Sequence, residues 1–236
     1  MKKKLAVLLA LFLSFGMATA LYAEDKETEK LESRIKNLEK EVSILKSTEE
    51  IKKLQRAYGY YLEHFMIDDL VDLFSDSPDA TLLILNGEFK GKKSIRGFFD
   101  GVPNTKDPHF LHQVMQLSGI VNIEPDGITA KGRWYGFGAN SIVLEEGVTQ
   151  AWMNGIYENE YIYEEGRWKI KKVRWCTLLM ATPNGGWVEP SKQIEFSEIR
   201  NTKTKFNFHP DGPPEKTMYP SGFITPFHFK NPVSGK

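Results

Sequence analysis

Apolar and polar residues alternate at helical spacing through the first part of the chain. Between residues 26 and 48 the apolar positions recur at intervals of four and three, with β-branched residues at one seam position and leucine at the other. This heptad pattern is typical of a parallel two-stranded coiled coil, and we predict such a helix over residues 24–48. The alternative is a single amphipathic helix that packs on its own domain. The stripe consists of Leu31, Ile35, Leu38, Val42 and Leu45.

A second helical stripe follows, out of phase with the first. Thr48 and the two glutamates after it favour a new helix start after Ser47. The stripe itself consists of Ile51, Leu54, Tyr58, Tyr61 and Phe65. The elements predicted after it are a short helix over 68–74, a hairpin of strands 81–85 and 88–90 around the turn signal Asn86-Gly87, and a short helix over 94–99.

From residue 112 onward the period of the apolar positions shortens to two, which is the period of a strand. Helices first and long antiparallel strands afterwards indicate an α+β domain, predicted over residues 49–182. Residues 183–236 are rich in Pro and Gly, but they include the sequence Phe-Ile-Thr-Pro-Phe-His-Phe. We predict that this extension packs on the domain, because the cluster is too apolar for a solvated tail. The predicted strands cover 112–118, 121–124, 129–137, 148–164 and 168–179.

The first 23 residues have the pattern of a secretory signal peptide. Three lysines at positions 2–4 precede an apolar run over residues 5–15, and small residues follow at the exit. The run is too short for a comfortable membrane span, which needs about 20 residues. We therefore expect a periplasmic or secreted protein with no membrane association after cleavage. A retained N-terminal anchor is the alternative.

Charge and cysteine content exclude some classes of function. The chain has 31 basic and 31 acidic residues, and loss of the three lysines in the signal leaves 28 against 31, a net charge of −3. A mildly acidic protein has no basic field with which to hold a polyanion, so nucleic-acid binding is disfavoured. Cys176 is the only cysteine, and packing must therefore hold the fold without an intrachain disulfide.

Several motifs together resemble one known family. A helix ending in Tyr-x-x-Tyr-Leu-Glu is followed by Asp-Leu-Val-Asp-Leu-Phe and then by Gly-x-x-Ser-Ile-Arg-Gly-Phe-Phe. Further on come Asp-Gly-Ile-Thr-Ala-Lys-Gly-Arg-Trp from residue 126 and Gly-Arg-Trp-Lys-Ile from residue 166. Over residues 50–180 the chain resembles the SnoaL-like branch of the nuclear transport factor 2-like superfamily, which includes scytalone dehydratase, ketosteroid isomerase and non-catalytic binding proteins.

The resemblance implies a curved antiparallel sheet that helices close into a cone, open at one end to an apolar pocket. It also implies two site residues. Glu63 matches the position of the aspartate that enzymatic members carry at the end of the first helix, although glutamate is one methylene longer. His112 resembles the pocket histidine at the start of the long sheet.

The residues themselves suggest proton-transfer chemistry. A carboxylate that faces an apolar cavity has a raised pKa, and a histidine titrates near neutral pH without help, so Glu63 and His112 could exchange protons with a bound compound. Tyr58 or Tyr61 could donate to an oxyanion. The alternatives are a solvated Glu63, a structural His112 and core tyrosines. This chemistry needs no cofactor, and we predict no metal site, because the break at Pro108 and the strand context disfavour a helix that would bring His109 and His112 together.

Aromatic and polar residues on the predicted strands are candidates for ligand contacts. They alternate with other residues, so one face of each strand lines the cavity, but the pattern does not decide which face. The predicted substrate-binding residues are Trp134, Tyr135, Trp152, Asn154 and Trp175.

Together these expectations predict an exported, cofactor-independent lyase or isomerase with dehydratase-like proton transfer. Its substrate is expected to be a small cyclic or aromatic hydroxylated compound held in an apolar pocket. A binding protein for a small hydrophobic ligand, or a coiled-coil oligomerisation module on a SnoaL-like scaffold, is the alternative. We also predict a homodimer or other homo-oligomer formed through the coiled coil and the sheet.

Overall fold

The structure of the chain is a computed structural model. It describes the backbone of residues 2–186, 188, 203, 205–215, 217–218 and 221–235, and side chains from residue 26 onward. The side chains of the predicted signal segment, residues 1–23, therefore lie outside the described residues. The chain divides into two compact units, residues 1–46 and residues 47–236. Among the described residues, no helix contains an apolar stretch long enough to span a membrane.

Helix α1 extends from Lys2 to Glu63 without interruption. The new helix start predicted after Ser47 is therefore absent. Neither Gly nor Pro occurs between residues 24 and 58, so nothing in the sequence forces the helix to end there. The change of phase between the two stripes is a change of face on one helix. In the N-terminal unit the heptad residues are exposed, for example Leu38 at 57% and Val42 at 61%.

Over its described residues, the second unit contains two more helices and six strands. The strands predicted over 112–118 and 121–124 form one strand, with an irregular register between Leu117 and Ile120. A positive φ of 52° at Ser118 accompanies this bulge. The elements after α1 are α2 (Ile67–Asp72), β1 (Thr81–Ile84), β2 (Gly87–Lys90), α3 (Gly91–Asp100), β3 (Leu111–Ile123), β4 (Thr129–Leu144), β5 (Gly147–Glu164) and β6 (Arg167–Ala181).

The six strands form one curved, unclosed sheet in the order β2-β1-β6-β5-β4-β3. Neighbouring strands are antiparallel except β1 and β6, which are parallel. Register shifts in the β5–β6 pairing, at residues 154–155 and 160–161, interrupt the ladder, and bulges of this kind bend a strand and increase its twist. The architecture is α+β, with the helices against a long antiparallel sheet.

A buried polar network joins the end of α1 to the sheet. The Gln55 side chain is fully buried and its Nε2 donates to Gln116 Oε1 at 3.0 Å. Its Oε1 accepts from Asn159 Nδ2 at 2.9 Å and from the Tyr161 hydroxyl at 2.6 Å. Because each partner is buried or half-buried, the network fixes the position of α1 over β3 and β5.

The described parts of the C-terminal extension contact the domain at several points. Glu88 of β2 exchanges backbone hydrogen bonds with residues 211 and 212. Arg174 of β6 forms a paired hydrogen bond with Glu215 at 2.9 and 3.0 Å. On β4, Arg133 donates to the carbonyl oxygens of residues 225 and 226. These contacts bring the extension alongside the sheet.

Candidate active site

One cavity lies between the end of α1, the β1–β2 hairpin, α3 and the inner face of strands β3 to β6. The cavity has a volume of about 130 Å³, and its walls are mostly aliphatic and aromatic. That volume is close to the roughly 150 Å³ of an engineered apolar cavity that binds benzene. The cavity therefore suits a compound of about one ring.

The alternation of side chains along β4 shapes this cavity. Even-numbered residues from Ala130 to Asn140 are buried towards the inner face. Gly136 is essential to the arrangement, because a Cβ atom there would lie 2.3 Å from the ring of Trp175. The missing side chain leaves room for the Trp175 indole, which lines the cavity and packs at 4.5 Å against the Tyr157 ring.

His112 at the start of β3 is the titratable imidazole of the cavity. Its Nδ1 atom is buried and has no hydrogen-bond partner among the described residues. Its ring lies 5.8 Å from that of Phe65, edge to face. Burial lowers the pKa of His112 to about 4, because the apolar surroundings disfavour the charged form. The imidazole is consequently neutral at pH 7.

Three further polar side chains line the cavity with an unpaired buried atom. Asn140 lies directly opposite His112 in the β3–β4 register, and its Oδ1 has no partner in the part of the chain that the structure describes. The same holds for Nδ2 of Asn86 and Oγ1 of Thr177. Buried polar atoms in proteins are nearly always hydrogen-bonded. Four such atoms around one apolar cavity therefore point to polar groups on a bound compound.

Two tyrosines complete the inner wall. Tyr58 of α1 and Tyr157 of β5 are both buried, and their rings meet edge to face at 6.2 Å. Burial raises the pKa of each phenol well above its usual value. Both hydroxyls stay protonated at neutral pH and can act as hydrogen-bond donors.

The predicted catalytic residues do not all meet at this cavity. Tyr58 and His112 line it, whereas Glu63 and Tyr61 do not. Glu63 Oε1 accepts from Gln113 Nε2 at 3.3 Å, and the described contacts include no bond between Glu63 and His112. On the last turn of α1 and just after it, Leu62 and Phe65 take the positions that face the cavity. Tyr61 packs half-buried against the core.

Four of the five predicted substrate-binding residues also lie elsewhere, and the pleat of the strands turns three of them, Tyr135, Trp152 and Asn154, to the other face of the sheet. Only Trp175 lines the cavity. Trp134 faces inward but fills the core, 5.9 Å from the Tyr161 ring. Tyr135 and Trp152 are 56% and 45% exposed. Asn154 shares the face of Trp152, since Ala151 and Met153, which alternate with them along β5, face the cavity.

Sequence comparison then identifies the family. Residues 43–174, more than half of the chain, match the family model of the SnoaL-like domain. The chain belongs to the SnoaL-like family. In the comparison with curated proteins, none matches the chain.

Solved structures similar to this SnoaL-like chain have the same fold at low sequence identity. An aromatic ring hydroxylase candidate from Novosphingobium aromaticivorans is 23% identical, with a TM-score of 0.51 over 58% of this chain and 94% of that protein. A scytalone dehydratase candidate from the same organism is 16% identical, with a TM-score of 0.50 over 58% and 88%. LinA is 20% identical, with a TM-score of 0.50 over 62% and 95%. At these identities the similarity shows the fold alone.

Several cavity residues of the SnoaL-like domain were not found from the sequence. Asn86 was interpreted only as half of a turn signal, although its side chain is buried and reaches the cavity. Thr177 carried a usable signal, because it shares a strand face with Trp175. Phe206 and Phe208 come from the C-terminal extension and line the cavity as well. No local pattern indicated that contribution.

The SnoaL-like domain also has histidines outside the cavity. His109 Nδ1 lies 3.0 Å from Asp107 Oδ1, and the His109 side chain is largely exposed. Among the described residues, no group of three or more His, Cys, Asp or Glu side chains is arranged to hold a metal ion. The cavity itself offers the hydrogen-bonding groups of His112, Asn140, Asn86 and Thr177.

Proposed function

We propose that the SnoaL-like domain binds a small, largely apolar cyclic or aromatic compound that carries a hydroxyl or carbonyl group. One observation carries this proposal: four buried polar atoms that have no partner in the described part of the chain line an apolar cavity of about 130 Å³. An apolar compound alone would leave those atoms unsatisfied, at about 1–3 kcal/mol each. A ring with one or two polar substituents could satisfy several of them.

The chemistry of the unpaired atoms suggests how such a compound would be oriented. His112 and Asn140 are directly opposite neighbours on β3 and β4. With its hydrogen on Nε2, the neutral imidazole accepts through Nδ1, and Asn140 Oδ1 also accepts. A hydroxyl group of the ligand could donate to either atom. Asn86 Nδ2, from the hairpin, could donate to an oxygen of the ligand.

Catalysis is the second candidate function, and the position of His112 favours it. We propose cofactor-independent proton abstraction from the bound compound, followed by elimination or isomerisation. A neutral imidazole buried beside a cavity can take a proton from a substrate there. Its lowered pKa makes it a weak base, so the proton removed must be an acidic one, such as a proton next to a carbonyl. Glu63 contacts Gln113 rather than the cavity, so its contribution is expected to be smaller.

Binding is tested with phenol and benzene as probes, followed by NMR titration of the purified protein. Wild-type protein is expected to bind phenol about tenfold more tightly than benzene, since one hydrogen bond contributes about 1 kcal/mol or slightly more. His112→Phe keeps an aromatic ring but removes the acceptor, and it should reduce this preference to less than threefold. Binding of neither probe, or an unchanged preference in the variant, would contradict the proposal.

Catalysis is tested by deuterium exchange from D₂O into cyclic ketones and cyclic hydroxylated ketones, also followed by NMR. Loss of exchange in His112→Phe, with at least a tenth of the rate retained in Glu63→Gln, would support proton abstraction by His112. No exchange in wild-type protein that still binds the compounds would leave the binding function alone.

Export and self-association complete the proposal. Residues 1–23 support export to the periplasm or the medium, through their charged start and short apolar run. The exposed heptad stripe over residues 31–45 supports a homodimer or other homo-oligomer held by a coiled coil. The outer face of the sheet, where Phe137 stacks on Trp152 at 5.7 Å, is a second apolar surface that could contribute.

A further inference from the structure

Part of the cavity wall comes from outside the SnoaL-like domain. Residues 205–212 of the C-terminal extension, here called the wall segment, follow the domain matched over 43–174. Two phenylalanines of this segment line the cavity, and their rings are 5.9 Å apart. Phe208 is buried, whereas Phe206 is half-buried. Their side chains contribute apolar surface that the matched domain does not supply.

Aromatic contacts hold Phe208 against the domain. Its ring lies 5.1 Å from that of Phe98 on α3 and 6.2 Å from that of Phe89 on β2. The backbone N–H of Asn207 donates to the carbonyl oxygen of Gly101 at 3.1 Å. These contacts attach the wall segment to β2 and to the C-terminal end of α3.

Asp211 attaches the wall segment to the start of α3 through two hydrogen bonds. Helix α3 begins after Lys90, whose side chain makes no capping hydrogen bond. The Asp211 carboxylate of the extension lies at this end of the helix, where its Oδ2 accepts from the Lys90 backbone N–H at 2.8 Å and from the Ser94 hydroxyl at 2.6 Å. A carboxylate is favourable at this end of a helix. The Ser94 hydroxyl and the Lys90 N–H lower the pKa of Asp211, so it stays charged at neutral pH.

We propose that the wall segment determines the size of compound that the cavity accepts, with Phe206 as the specificity-determining side chain and Asp211 as the positioning residue. This inference rests on the proposed binding function. Phe206 is half-buried and packs against the core, and removal of its ring would extend the cavity towards the extension. The domain's own walls would stay in place. A one-ring compound fits the cavity as it is, and a fused two-ring compound would need the added space.

The test compares benzene with indole as probes, using NMR titration of the full-length protein. Phe206→Ala is expected to raise the affinity for indole relative to benzene by about tenfold, because the cavity gains the volume of a ring. Phe206→Trp should change the same ratio in the opposite direction. A ratio within twofold of wild type in both variants would overturn the inference. Binding of neither probe by wild-type protein would overturn the proposed function and this inference together.

The positioning role of Asp211 has a matched control in Asp126. Both carboxylates accept from a backbone N–H and from a hydroxyl, Asp211 from Ser94 and Asp126 from Thr129. Asp211→Ala should weaken benzene binding about tenfold and reduce the difference between the affinities for benzene and indole. Asp126→Ala should leave both affinities within twofold of wild type. If both substitutions changed the ratio of the indole and benzene affinities equally, this result would contradict a positioning role for Asp211.

Discussion

Burial gives His112 properties that an exposed histidine does not have. Its Nδ1 atom is buried and has no partner among the residues that the structure describes, it lies opposite Asn140, and its pKa is lowered to about 4. Folding thus keeps a normally titratable group neutral across the physiological range. The Asn140 Oδ1 atom, which has no partner among the described residues, and the buried phenol of Tyr58 extend this polar patch in an otherwise apolar wall.

The lowered pKa of His112 predicts a loss of stability in acid. The unfolded chain binds a proton near pH 6.5, whereas the folded chain binds it only near pH 4. The contribution of His112 to stability is therefore complete above pH 6.5 and is lost as the pH falls towards 4. Between pH 7 and 4.5 the loss should be of the order of 2–3 kcal/mol.

Urea unfolding of wild type and His112→Phe at pH 7 and pH 4.5 measures this effect. Carboxylates whose pKa folding lowers, such as Asp76 with its pKa lowered to about 2 by the hydrogen bonds from Lys169 and Lys92, are common to both proteins. The variant should therefore lose about 2–3 kcal/mol less than wild type. An equal loss in both proteins would mean that His112 is protonated in the folded state without penalty.

Gly136 and Gly97 form a matched pair for the effect of one added methyl group. At Gly136 the new Cβ would lie 2.3 Å from the Trp175 ring, whereas at Gly97, on the exposed side of α3, it would meet no atom within 4 Å. Gly136→Ala should lower the free energy of unfolding by about 1–3 kcal/mol. Gly97→Ala should raise it by up to about 1 kcal/mol. Thermal or urea unfolding measures both, and a shift of the same sign in the two variants would contradict the packing argument.

Helix α1 and the long strands show how an element presents different faces. The heptad stripe of α1 is exposed in the N-terminal unit, while in the second unit Ile51, Gln55 and Tyr58 are buried. On β5, Ala151 and Met153 face the cavity, and Trp152 between them is on the outer face. A side chain's neighbours in sequence are therefore poor guides to its surroundings in a strand.

The exposed stripe predicts self-association that depends on its apolar residues. Replacing both Leu38 and Val42 by Asp should raise the dissociation constant at least a hundredfold, because two apolar side chains are lost from each seam. Lys40 lies on the opposite side of the helix, so Lys40→Asp should have little effect. Sedimentation equilibrium of the full-length protein measures the dissociation constants of wild type, the double variant and Lys40→Asp. A dimer that persists in the double variant would assign self-association to another surface.

The C-terminal extension connects distant parts of the second unit. One end forms the wall segment, and residues near 228 lie against β3, β4 and β5. His228 Nε2 lies 3.1 Å from Asn122 Oδ1, and His228 Nδ1 contacts the Glu158 carboxylate. Arg133 donates to Glu158 at 2.9 Å and lies over the Phe227 ring, 4.2 Å from its centre. The two contacts of His228 join residues that are 70 and 106 positions apart in the chain.

His228→Ala is expected to loosen the end of the extension without unfolding the domain. The substitution removes two polar contacts of a nearly buried side chain, so residues 221–230 should open more often. Chymotrypsin should then cleave after the half-buried Phe223 or Phe229 about tenfold faster than in wild type. His209→Ala, at an exposed position, provides the control. Equal cleavage rates in wild type and His228→Ala would show that other contacts hold this segment.

The sequence predicted the class of fold and part of the candidate site. The change from helical to strand period located the helices and most strand positions, and two motif residues, Tyr58 and His112, do line the cavity. Glu63 was placed at the site by its match to a family position, yet its side chain contacts Gln113. The direction of a single side chain at a helix end depends on the neighbours that tertiary packing supplies.

Local periodicity alone determined that this chain forms helices followed by a long antiparallel sheet, because amphipathic spacing depends only on residues near each other in sequence. Tertiary structure decided which strand face encloses the cavity, which polar atoms are left there without partners, and that Phe206 and Phe208 complete its wall. Those outcomes depend on strand register and on contacts between segments about a hundred residues apart, which no local pattern encodes.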